Sequence, residues 1–367
     1  MPKLTFYPIG NADSILVDLF DGRKLLFDYA NVANPEDKSE KRIDLAKELR
    51  ENLKEAKRDY LDVVAFTHAD DDHVHKASEF FYLEHARKYQ EGERIKIKEL
   101  WVPAEMILED GLEDDARSLR QEARFRMIKG EGIRVFSRPD ALKKWLQEQR
   151  LSLESRLHLI YEAGKCIHEF SGDIEIFVHS PFSYKGDEGI IDRNNCSIVV
   201  QITFTVKSRI TKCILGGDTE FDSWSEIVEI TKKNHNNSRL EWDVFKIPHH
   251  CSYSSLSNEK GIMEIKPVPE VQWLLEQGHC YGIIVSPSDC IPNEDTDQPP
   301  HFQAANYYKN RAKSMEGYFV VTMEYPSESK PEKLVIQIDE NGAGIEKKEI
   351  ESTISVLTKQ SPRAGRI

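Results

Sequence analysis

The sequence predicts a layered α/β protein, two sheets covered by helices, and three observations predict it. Strand-forming segments fall into two groups, 1–103 and 170–340, with helical patterning between and after them. A buried strand, Leu61–Phe66, runs directly into a polar cluster and then a helix, the usual layout of an α/β site. Finally, 367 residues with 39% hydrophobic content supply enough apolar material for a sizeable core.

Leu4–Tyr7, Ser14–Leu19 and Lys24–Asp28 are rich in β-branched and aromatic residues, and Asp21-Gly22 supplies a turn between the last two. Residues 39–58 place Ile43, Leu45, Leu49 and Leu53 at helical spacing among charges. After Leu61–Phe66 the pattern predicts a helix over roughly 75–90, a strand over Lys96–Pro103, and a mostly helical stretch to about 165. Strands return at Ile174–His179, Ser197–Val206, Thr211–Leu215 and Val244–Ile247, then at Tyr281–Ser286, Gly317–Met323 and Lys333–Ile338. The stretch 104–165 is too long for a simple connection and reads as an inserted helical segment. One domain is expected over 1–357, followed by a flexible basic tail at 358–367.

With 50 Lys and Arg against 63 Asp and Glu, the formal charge is −13, which argues against a general nucleic-acid coat. Six cysteines form no CxxC pair, the usage of reduced thiols in a cytoplasmic protein. Neither a signal peptide nor an apolar run long enough to span a bilayer is evident, so no membrane association is expected.

Three clusters carry chemistry. Thr67-His68-Ala69-Asp70-Asp71-Asp72-His73 packs five residues able to ligate a metal at the mouth of a strand, an arrangement that needs cations to neutralise it. Asp243 to Ser255 ends a second strand in adjacent histidines, His249 and His250, followed by small hydroxyl residues. Cys213-Ile-Leu-Gly-Gly-Asp218 presents one carboxylate after a glycine pair.

In order and context these clusters resemble the metallo-β-lactamase-fold hydrolases, most of all their extracellular-DNA-uptake (competence) branch with its His-x-Asp-x-Asp-His motif. Gly10-Asn11-Ala12-Asp13-Ser14, Leu25-Leu26-Phe27-Asp28, Asn194-Asn195-Cys196-Ser197, Leu215-Gly216-Gly217-Asp218, Lys246-Ile247-Pro248-His249-His250-Cys251-Ser252 and Pro300-His301-Phe302 are similar to that branch's successive motifs. The resemblance implies an αββα sandwich with two divalent metal ions between its sheets, Zn²⁺ or Mn²⁺ with Mg²⁺ a further option. It assigns His68 and Asp70 to the first ion, and Asp72, His73 and either His249 or His250 to the second. Asp218 would bridge the two. Asp72, Asp218 and His250 would carry catalysis, and Ser252, His301 and Asn194 would face the substrate. The family's third histidine for the first ion has no clear counterpart: Asn194-Asn195 aligns there, and His179 is the nearest candidate.

Segment 116–150 holds ten Lys or Arg against four acids, and Arg117, Arg120 and Arg124 share one helix face that would suit phosphate. Five acids in 109–115 offset that excess. The expected activity is hydrolysis of phosphodiesters in DNA, RNA or a nucleotide. Alternatives are hydrolysis of a small ester, thioester or lactone, and a scaffold with a degenerate metal site acting through a protein partner or a second copy of itself.

Overall fold

The computed structural model describes residues 1–170, 172–183 and 193–346, so the expected tail at 358–367 lies outside the described residues. The first sheet runs in the order Gly342–Ile345, Leu334–Asp339, Lys3–Phe6, Ile15–Asp18, Lys24–Phe27, Tyr60–Ala65, Ile95–Pro103, Ile133–Phe136, Ile160–Tyr161, with Phe81–Tyr82 beside Ile95–Pro103. Its strands pair antiparallel as far as Lys24–Phe27 and parallel beyond. The second sheet runs Cys166–Ile167, Ile174–Ser180, Val199–Val206, Arg209–Leu215, Trp242–Lys246, Gly278–Ser286, Tyr318–Val321, antiparallel through Arg209–Leu215 and parallel after it. Each sheet is therefore antiparallel on one side and parallel on the other.

Side-chain alternation assigns the faces. Leu25 and Phe27 point between the sheets with Phe6, Trp101 and Phe136, against Ile176, Ile202, Phe204 and Val244 of the second sheet. Leu26, Val64 and Leu100 face the other way, onto helices Leu45–Glu55, Asp114–Lys129 and Asp140–Glu148. On the far side Ile214, Phe245 and Ile284 pack under helices Phe221–Lys233, Pro269–Glu276 and Phe302–Ser314. The layering is thus helix, sheet, sheet, helix, as predicted, but the strand grouping is corrected: Leu334–Asp339 pairs with Lys3–Phe6 and so belongs to the first sheet, not with the strands of 170–321.

Three local expectations are corrected. The helix expected over 39–58 begins only at Leu45, where Asp44 caps it by accepting from Lys47 N at 3.1 Å. The helix expected over 75–90 is one turn, Ala77–Phe80, followed by the short strand Phe81–Tyr82 and a second turn at Arg87–Tyr89; Phe80 stacks on Tyr29 and Phe81 meets it edge-on. The stretch 104–165 is not a helical cap set on the fold: Ile133–Phe136 and Ile160–Tyr161 extend the first sheet, with the helices packed over it.

Candidate metal centre

The parallel strands of both sheets deliver their carboxyl ends to one edge, where ligands gather in such folds. Lys24–Phe27 ends in Asp28, and Tyr60–Ala65 leads through Phe66 and Thr67 into His68–His73. From the second sheet, Arg209–Leu215 ends in Gly216-Gly217-Asp218, and Trp242–Lys246 leads to His249 and His250. Gly217 has φ +35°, and a Cβ there would lie 2.9 Å from the Thr67 side chain, so the two strand ends meet through a residue without one. His249, His250 and Cys251 all take positive φ (50°, 49°, 67°), a left-handed run that costs non-glycine residues about 1–3 kcal/mol each and occurs where surroundings over-determine the backbone. Here Ser252 N donates to His249 O at 2.8 Å and His301 N to Cys251 O at 3.1 Å.

Asp72, His73, Asp218 and His250 bring one ligand atom each within 4.8 Å of one another. His73 Nε2 lies 3.2 Å from Asp218 Oδ1, and His250 Nε2 lies 2.9 Å from Asp72 Oδ2 and 3.4 Å from Asp218 Oδ2. The remote nitrogens are anchored. His73 Nδ1 bonds Asp28 Oδ2 at 2.8 Å, and His250 Nδ1 bonds Pro287 O at 2.9 Å, so each Nε2 is aimed at the centre. Asp28 is held in turn by Thr67 N and Oγ1, both at 2.7 Å. The Nε2 atoms of His68 and His73 are buried and make no hydrogen bond. Buried nitrogens left bare and surrounded by carboxylates fit a cation, and two imidazoles with two carboxylates fit a divalent one.

The electrostatics say the same. Burial disfavours an imidazolium at His73, yet Asp218, Asp28 and Asp72 outweigh it and hold the pKa well above the ordinary histidine value. His250 is pushed up to about 10 against burial, chiefly by Asp218. Burial would raise Asp218, but His250 and His73 keep it well below the usual carboxylate range. The site draws positive charge onto its histidines, as an anionic cavity built for a cation does. Behind it, Lys246, 1% exposed, pairs with Asp13, donates to Gly217 O at 2.6 Å and lies 3.8 Å from Asp218.

Of the adjacent histidines, His250 joins the cluster, while His249 turns its Nδ1 toward Ser254 Oγ (3.3 Å) and Glu220 (3.7 Å) and its backbone N–H donates to Asp218 at 3.2 Å. His68 and Asp70 sit beside each other, Nε2 to Oδ2 3.5 Å, but gather no third ligand among the described residues. Burial would raise the Asp70 carboxyl, yet His68 and Arg193 hold it well below the usual range. Asn194 Oδ1 is buried without a partner among the described residues. Ser252 caps the following turn by accepting from Ser254 N at 3.3 Å, and His301 Nδ1 accepts from Tyr253 N at 3.2 Å, so both brace the loop carrying the histidines.

Two expectations fail. His179 is not brought to the centre; it is buried, its Nε2 bonded to Arg239 O at 3.0 Å. Burial pushes it down to about 3, so it is neutral when folded and takes up a proton on unfolding below about pH 6.5. Stability from this group is therefore complete above pH 6.5 and lost as pH falls toward 3. Between pH 6.5 and 5, urea titrations should show the wild type losing about 2 kcal/mol more than His179→Asn; parallel pH curves for the two proteins would contradict this. Nor do Arg117, Arg120 and Arg124 form an open phosphate face. Arg120 is buried and donates to Glu109 O, and Arg124 donates to Ile107 O at 2.8 Å, so both tie down the 104–110 segment. Of the three, Arg117 alone is exposed.

Arg193, unassigned by sequence, bonds Asp70 Oδ1 at 2.5 Å and grips Glu109 through Nε at 3.0 Å and Nη2 at 2.6 Å. It and Arg117 line an open cleft of about 1180 Å³ that starts at Ala69 and Asp71, on the rim of the carboxylate loop. Lys76 and Lys88 add positive charge to that cleft, and Asp71, Glu79, Glu113, Asp114 and Asp115 negative. Among the described residues no helix is long and apolar enough to cross a membrane. Comparison with protein-family models finds no match for the chain, and comparison with curated proteins finds none either.

Proposed function

We propose that the protein is a metal-dependent hydrolase of the metallo-β-lactamase fold, acting on phosphodiester bonds. The observation that carries the reading is the convergence of Asp72, His73, Asp218 and His250 on one point at the carboxyl edge of two facing sheets, with His73 Nε2 bare. What a divalent cation supplies there when bound is Lewis acidity: a lowered water pKa and charge to offset that developing on an attacked phosphate. The chain's own residues do the rest. Asp28 and Pro287 O fix the tautomers of His73 and His250, and Lys246 and His249 N–H fix Asp218. Arg193 and Arg117 offer the cleft's mouth a positive wall for an anionic substrate.

The acids on the same cleft favour a short phosphodiester over a long polyanion, since a polymer threading the cleft would run past Glu113, Asp114 and Asp115. The test is hydrolysis of a generic aryl phosphodiester, with an aryl acetate and a thioester alongside, in Zn²⁺, Mn²⁺ or Mg²⁺. Turnover of the phosphodiester alone, lost in Asp72→Asn, is expected. Turnover of the ester or thioester alone would overturn the substrate assignment, and none with any ion would overturn the hydrolase reading.

A further inference from the structure

We infer that the centre holds one divalent ion, and that the Arg193 guanidinium is the permanent second cation of the site, fixed between Asp70 and Glu109 where a two-metal arrangement requires another ion. This rests on the hydrolase reading above. The four-ligand group is complete without borrowing from His68 or Asp70. Those two lie side by side, Nε2 to Oδ2 3.5 Å, and are where a second ion would have to sit.

Asp70 is also already neutralised. Its Oδ1 takes the guanidinium at 2.5 Å, and Glu109 holds that guanidinium from the other side through both oxygens. An ion seated on Asp70 would sit against a charge that does not titrate away, because arginine stays protonated throughout the accessible pH range. Among the described residues, three of the five N–H bonds of Arg193 go to Asp70 and Glu109, and the guanidinium lines the adjoining cleft, where the others can meet the anionic group of a substrate. The guanidinium thereby positions that group and balances its charge beside a single metal.

Metal capacity tests this without an activity assay. After dialysis against excess Zn²⁺ or Mn²⁺ and removal of free ion, elemental analysis should find one ion per chain in the wild type, two in Arg193→Ala, and one in Arg193→Lys, which keeps the charge. Two ions in the wild type would overturn the inference while leaving the hydrolase reading standing. None in the wild type would sink the metal centre and this inference with it. One ion in Arg193→Ala, or two in Arg193→Lys, would show that the Arg193 charge is not what keeps the second position empty of metal, and would equally overturn it.

Discussion

Asp218→Asn is expected to abolish metal retention and, with it, hydrolysis. Asp218 is 2% exposed and sits between His73 Nε2 (3.2 Å) and His250 Nε2 (3.4 Å), so the amide preserves shape while removing a ligand charge from the middle of the cluster. Mutating outer partners of metal ligands already costs about 10–100-fold in affinity, and a ligand itself should cost at least the upper figure. At a metal concentration of about 100 times the wild-type Kd, the bound ion stabilises the folded chain by about 2.7 kcal/mol; for a variant binding about 100-fold more weakly the same concentration gives about 0.4 kcal/mol. Denaturant midpoints with and without metal measure the difference directly. A variant that keeps the full metal-induced shift would place the ion away from Asp218.

The strand ends that build this centre were legible because each is a local signal: an apolar run stopping at a cluster of His, Asp or Gly-Asp. The layering was legible for a similar reason, since period-2 alternation in short strands marks two faces, one for the inter-sheet core and one for the helices. What escaped is tertiary. The spacing of Arg117, Arg120 and Arg124 does place them on one side of a helix, but nothing local says that the carbonyls of Ile107 and Glu109 fold back to occupy two of them. Ile133–Phe136 is four residues with Arg134 among them, too short and too charged to stand out between two helices; it is a strand because Ile95–Pro103 offers it an edge. Arg193 lies in a loop with no periodicity, and only its contacts with Asp70 and Glu109 mark it. Asp28 is the intermediate case: visible at the end of Leu-Leu-Phe-Asp, its role as the anchor of His73 depends on a parallel strand pairing that brings it to Thr67.

Hydrogen bonds also hold the centre in place from behind. Each imidazole that faces it is bonded from behind, and the left-handed His249–Cys251 run is pinned by hydrogen bonds from Ser252 and His301. Strain of that kind persists only where neighbours forbid relaxation. Pre-organisation therefore costs stability in the loop and is offset in the core, where Lys246 and Asp13 join the two sheets.

Lys246→Met should be the most destabilising single change near the site, by about 3–5 kcal/mol, the cost of leaving a buried charge without its partner. Lys246 and Asp13 are each 1% exposed, one at the end of a second-sheet strand and the other in the loop between two first-sheet strands. Burial would lower the lysine's pKa, but Asp13 and Asp218 outweigh it and keep the ammonium charged through the neutral range. Methionine fills the stem's volume, so the loss measured in urea reports charge rather than a cavity. Asp13→Asn in the same background removes the stranded carboxylate, and the double variant should recover about 0.5–3 kcal/mol relative to the sum of the two single losses. Lys96→Met, which breaks the exposed Lys96–Asp59 pair, serves as the control that hardly moves the midpoint. If Lys246→Met behaves like that control, Asp13 must become neutral once alone. The carboxylates around Asp218 would then be balanced by the metal and Arg193, with no need of the lysine behind them.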